Sequence, residues 1–119
     1  MTSILVVDDS RLARNMVSSV IAALRPDWTI VTAASGDEAL QIVGEVSPVA
    51  AIVDYNMPGM DGLVLAERLK ERFGGLPIGL LTANVQDVLK RKAEALGIRF
   101  IAKPITSDKI REFLAAAGR

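Results

Sequence analysis

Short apolar runs alternate five times with longer stretches of helical period, the arrangement of a parallel sheet covered on both faces by helices. The runs predict strands over residues 4–7, 28–33, 50–53, 78–81 and 98–102. Between them apolar residues return every three or four positions, as at Leu12, Met16, Val20 and Leu24, and predict helices over residues 11–24, 37–46, 63–73, 85–96 and 107–116. Start signals support the helices. Ser35 with Glu38 forms a capping box, and Ser10, Asp61 and Ser107 are suited to N-caps.

Strand composition orders the sheet, because a central parallel strand is buried on both faces whereas an edge strand shows polar residues. The first, third and fourth runs are continuously apolar and belong in the centre. The second carries Thr29 and Thr32, and the fifth carries Arg99, so those two belong at the edges. With right-handed crossovers the order becomes 2-1-3-4-5, a flavodoxin-like doubly wound α/β sheet. Ligands in such sheets bind beyond the carboxyl ends of the strands where the winding reverses, here between strands one and three. Asp8 and Asp9 follow the first strand, and Asp54 follows the third.

Length and composition narrow what that crevice can do. At 119 residues, half of them hydrophobic, the chain fills one core, and a single domain over residues 1–119 is expected. Fourteen basic and fourteen acidic side chains cancel, so no overall field draws in nucleic acid or anionic lipid. No apolar run approaches the roughly 18 residues of a membrane span, and no leader is expected ahead of the first strand. A soluble, cytoplasmic protein is expected, with neither nucleic acid nor membrane as a direct partner. Cysteine and histidine are absent, which removes disulfides, thiolate and imidazole nucleophiles, and the usual zinc sites. Oxygen chemistry remains, with a hard cation such as Mg²⁺ or Mn²⁺ as the fitting metal.

Three carboxylates converging on one crevice repel one another unless a cation shares the site. Direct ligation is assigned to Asp9 and Asp54, with Asp8 placed to hold a metal-bound water. Read alone, Asp8-Asp9-Ser10 more simply caps the first helix, and Asp54 suits an ordinary turn. Two further residues change the balance: Thr82 closes the fourth strand and Lys103 the fifth. A hydroxyl donor and a cation facing an acceptor carboxylate and a metal are what phosphoryl transfer requires.

Taken as a set, Asp8-Asp9, the segment Asp54-Tyr55-Asn56-Met57-Pro58-Gly59-Met60-Asp61-Gly62, Thr82-Ala83 and Lys103-Pro104 resemble the receiver domain of bacterial response regulators, from Ser3 to about Ala116. The resemblance implies that Asp54 is phosphorylated by a sensor histidine kinase or histidine phosphotransfer protein. It also implies that Asp9, Asp54 and the backbone carbonyl of Asn56 bind Mg²⁺, that Thr82 hydrogen-bonds the phosphoryl oxygens, and that Lys103 pairs with the phosphate. A cis peptide at Lys103-Pro104 follows from it too. Such a domain is a signalling switch that catalyses only its own phosphorylation and dephosphorylation. Phe100 matches the aromatic that turns inward when Thr82 moves, although a plain core aromatic also fits; Phe stands where Tyr is frequent, so no hydroxyl is available. Asn56 and Asn84 occupy positions that tune phosphate lifetime, and two neutral amides imply an intermediate one.

The expected output face joins the fourth helix, fifth strand and fifth helix, presenting Lys90, Arg91, Glu94, Arg99 and Lys109 to a downstream protein. Other classes fit less well. A haloacid-dehalogenase-type phosphatase needs an Asp two residues after the nucleophile, where Asn56 stands, and a flavodoxin needs a neutral loop where Asp8 and Asp9 stand. The domain is expected to be a stand-alone, chemotaxis-type receiver, with a receiver cut from a longer regulator or hybrid kinase as the alternative.

Overall fold

Successive strand residues point to opposite faces, so each apolar run must feed two separate cores. In β1 (Ser3–Val7), Leu5 and Val7 enter one core and Ile4 and Val6 the other. The computed structural model describes residues 2–117; Met1, Gly118 and Arg119, the ends of the expected domain, lie outside the described residues. The further elements are α1 (Arg11–Leu24), β2 (Thr29–Ala33), α2 (Gly36–Val46), β3 (Ala50–Asp54), α3 (Gly62–Arg72), β4 (Ile78–Thr82), α4 (Asp87–Ala95), β5 (Arg99–Ala102) and α5 (Ser107–Ala117).

All pairings are parallel, in the order β2-β1-β3-β4-β5. The first core packs α2, α3 and α4 on one face through Ala39, Val43, Leu65, Leu69, Leu89 and Ala93. The second packs α1 and α5 on the other through Val17, Ile21, Ile110, Phe113 and Leu114. β3 and β4 are buried throughout while β2 and β5 are partly exposed, as their polar residues foretold. No helix among the described residues is long and apolar enough to cross a membrane.

Several element ends differ from the sequence expectation, each for a local reason. Trp28 precedes β2 because its N–H bonds Arg25 O in a turn, and the Arg25 guanidinium lies 5.6 Å from its ring centre. Asn84 Oδ1 accepts from the Gln86 N–H (3.0 Å), a side-chain turn that holds Val85 out and delays α4 to Asp87. After α4, Gly97 adopts φ +74° and the Ile98 N–H turns back to Ala93 O, which starts β5 one residue later than expected. Ser107 is not the cap of α5. Thr106 is: its Oγ1 accepts from the Lys109 N–H at 3.2 Å, and Ser107 is the first helical residue. Ser10 and Asp61 cap α1 and α3 as expected. Ser35 caps α2, but Glu38 reaches back to the Ala34 N–H (2.6 Å), one residue before the N-cap.

Candidate functional site

Parallel pairing aligns the carboxyl ends of β1, β3, β4 and β5 along one rim, and the reversal of winding opens that rim between β1 and β3. The ladder continues slightly past the strands. The Asp8 N–H donates to Ala33 O (3.1 Å), the Tyr55 N–H to Leu81 O (2.8 Å) and the Lys103 N–H to Thr82 O (2.9 Å). The chain returning from β3 is pressed close, because the Gly62 N–H bonds Tyr55 O at 2.9 Å and a Cβ on Gly62 would lie 2.1 Å from Asp54 O. Gly62 is therefore required by the backbone that presents Asp54.

Asp8, Asp9 and Asp54 are brought together, with one carboxylate oxygen from each lying within 4.8 Å of the others. Asp8 and Asp54 are buried and Asp9 is exposed. Asp8 Oδ1 accepts from the Ser10 N–H (2.9 Å), whereas Oδ2 is buried with no partner among the described residues. Lys103 Nζ stands 2.7 Å from Asp54 Oδ1. That oxygen has no hydrogen bond of good direction, so the contact is an ion pair held by charge rather than by alignment. Clustered carboxylates with orphaned buried oxygens suit a hard dication such as Mg²⁺ or Mn²⁺.

Burial pushes the Asp8 carboxyl above its ordinary 3.8. The Ser10 N–H draws it back, neighbouring Asp54 raises it, Lys103 lowers it, and Asp9 raises it again. A raised folded-state pKa contributes stability below the unfolded value and loses it as pH rises through the folded one. At neutral pH the charged Asp8 is thus a net cost to the metal-free fold.

Thr82 is buried at the end of β4, and its Oγ1 accepts from the Asn84 N–H (2.9 Å), which leaves the hydroxyl proton to be donated elsewhere. Phe100 is half-buried opposite Leu80 and packs against the core that holds α4. Asn56 is exposed two residues beyond Asp54. The Lys103-Pro104 peptide is cis. Of the charges on the expected output face, Lys90, Arg91, Glu94 and Arg99 are exposed. Lys109 departs from that expectation: it is half-buried, and its Nζ donates to Ala102 O (2.7 Å) and Pro104 O (3.0 Å).

Arg14 also escaped the sequence reading. Its Nη1 donates to Asp8 O at 2.7 Å and so fixes the loop that carries the acid pair. The signal was available, because a long helical side chain covers the turn N-terminal to its own Cα, and Arg14 stands one turn inside α1.

Comparison with known proteins accords with this geometry. The family described as "Response regulator receiver domain" matches residues 4–115. The chain is 33% identical over 119 residues to the positive alginate biosynthesis regulatory protein of Pseudomonas aeruginosa, covering 98% of this chain and 47% of that protein. It is 31% identical over 113 residues to the sensor histidine kinase RcsC of Salmonella typhi, covering 94% of this chain and 12% of the kinase. Among solved structures, the chemotaxis protein CheY4 of Vibrio cholerae superposes with a TM-score of 0.86 at 28% identity, over 98% of each chain. The chain spans less than half the length of these two curated relatives.

Proposed function

This chain belongs to the response regulator receiver family, and we propose that it is a phosphoacceptor switch whose acceptor is Asp54. The observation that carries the reading is the meeting of Asp54 with Asp8 and Asp9 on one side and with Lys103 Nζ, 2.7 Å away, on the other. A histidine kinase or histidine phosphotransfer protein is the donor. An Asp54 carboxylate oxygen attacks phosphorus, the P–N bond of the phosphohistidine breaks, and the imidazole leaves and takes up a proton. Asp9, Asp54 and the Asn56 carbonyl would hold a Mg²⁺ ion, with Asp8 placed to orient a water beside it, and the ion would supply charge neutralisation. Lys103 balances the phosphoryl charge, and the Thr82 hydroxyl donates a hydrogen bond to a phosphoryl oxygen.

Output follows from the position of Thr82 beside β5. When Thr82 is drawn towards the phosphoryl group it vacates space, Phe100 turns in, and the face built from α4, β5 and α5 changes for a downstream protein. Phe100→Ala is expected to leave labelling of Asp54 nearly intact and to remove most of the difference in partner affinity between phosphorylated and unphosphorylated forms. Equal discrimination by this variant, measured by titration of the partner, would place Phe100 in the core alone.

The metal site has its own test. In the wild type, saturating Mg²⁺ should raise the melting temperature, since a ligand at about 100 times its Kd stabilises by about 2.7 kcal/mol. Asp9→Asn should lose most of that rise. Asp8→Asn keeps an acceptor for Ser10 while removing the buried charge, so it should melt several degrees higher than wild type without Mg²⁺ at pH 7. That advantage should vanish well below pH 4, where Asp8 of the wild type is protonated. An Mg²⁺ response in Asp9→Asn equal to that of wild type would remove the site assignment.

A further inference from the structure

The backbone that carries Lys103 is held from two sides. On the inner side its own N–H donates to Thr82 O (2.9 Å), continuing the β4–β5 ladder. On the outer side, along the free edge of the sheet, the carbonyls of Ala102 and Pro104 both accept from Lys109 Nζ, at 2.7 and 3.0 Å. The residue between those carbonyls is Lys103, whose side chain meets Asp54.

The placement of Lys109 calls for a reason. It stands in the first turn of α5, where free N–H groups disfavour a cation. It is half-buried, and among the described residues no carboxylate lies within ion-pair distance of it. The nearby acid, Glu112, lines the same hollow of about 150 Å³ and lies 3.8 Å from Arg99 instead. An ammonium in that position is stabilised by the two carbonyls, and they are the two that bracket Lys103. Phe100 lines the hollow as well, so the clamp borders both the acceptor site and the output face.

We propose that Lys109 is a positioning residue for Lys103: by holding the carbonyls of Ala102 and Pro104, it sets the distance at which the Lys103 ammonium meets the acceptor carboxylate. The proposal rests on the phosphoacceptor reading of Asp54. Lys109 touches no reacting atom and acts only through the backbone.

Lys109→Met keeps the aliphatic stem and a good helix former while deleting the donors. Labelling of Asp54 by a small phosphodonor should slow by about tenfold, within the range that a displacement below 1 Å produces. The Mg²⁺-induced rise in melting temperature should be unchanged. Lys109→Arg, which retains donors, should recover most of the rate. In a Lys103→Ala background, Lys109→Met should have no further effect, because its only route to the chemistry is gone. A full tenfold loss in that background too would reveal a general structural role and overturn the proposal. Hydrogen exchange gives a readout that needs no phosphoryl transfer: the Lys103 amide should exchange severalfold faster in Lys109→Met. If the wild type takes no label at all, the phosphoacceptor reading fails while the exchange rate still judges the clamp. An unchanged Lys103 exchange rate overturns it.

Discussion

Asp54→Asn should abolish acid-labile labelling by a small phosphodonor in the presence of Mg²⁺, with a loss of at least about a thousandfold, as for removal of a nucleophile on which the reaction depends. A neutral amide oxygen is a poor nucleophile, and the substitution removes one of the negative charges that favour a metal. Unfolding will not explain the loss. Asn has nearly the shape of Asp, still offers an oxygen to Lys103, and relieves repulsion on buried Asp8, so the metal-free variant should melt no lower than wild type. Asp8 and Asp9 are carboxylates in the same crevice and are the natural competitors for the role. Label surviving in Asp54→Asn and vanishing in either of the others would move the acceptor there.

Gly62→Ala should be the most damaging glycine-to-alanine change among the described residues. The added Cβ would stand 2.1 Å from Asp54 O and 2.8 Å from both Asp54 C and Tyr55 Cα, all backbone atoms of a buried strand end that cannot swing aside. Gly62 has no positive φ, so the penalty is steric rather than conformational. Overpacking of this kind costs about 3 kcal/mol or more, which in a domain of this size lowers the melting temperature by on the order of 10 °C. Gly59→Ala is the control. Its φ of +77° carries a left-handed penalty of about 1 kcal/mol, but nothing lies within 4 Å of the new methyl. Gly62→Ala should also slow labelling of Asp54 in the folded fraction, because the strand end must move to admit the methyl. A Gly62→Ala protein that melts within 2–3 °C of wild type would show that β3 and α3 can part without cost.

The sheet order was readable because burial on two faces leaves no room for polar residues: Thr29, Thr32 and Arg99 are visible only where one side is open. The acid cluster with Lys103 was readable because parallel strands must end on one rim, so residues distant in sequence could be placed together by counting strands. What stayed hidden depended on long or competing side chains. Thr106 and Ser107 are adjacent hydroxyls, and sequence does not say which one the first turn will use. Asn84 diverts the chain before α4 by a side-chain bond that competes with helix formation. Arg14, whose signal lay in the direction of a helical side chain, was passed over, and Lys109 was placed on the output face because nothing in its spacing reveals that it reaches back to backbone carbonyls.

Among the described residues the sheet divides the interior into two compartments with no shared member, and Phe100 and Ile101, though neighbours in β5, belong to different ones. Drift in the α4 compartment therefore has little leverage on the packing of α1 and α5. A lineage can repack the side of α2, α3 and α4 while the side of α1 and α5 keeps the domain folded, and Asp54 stands at the common rim. Separate compartments of this kind let the two faces of one sheet change independently around an unchanged rim.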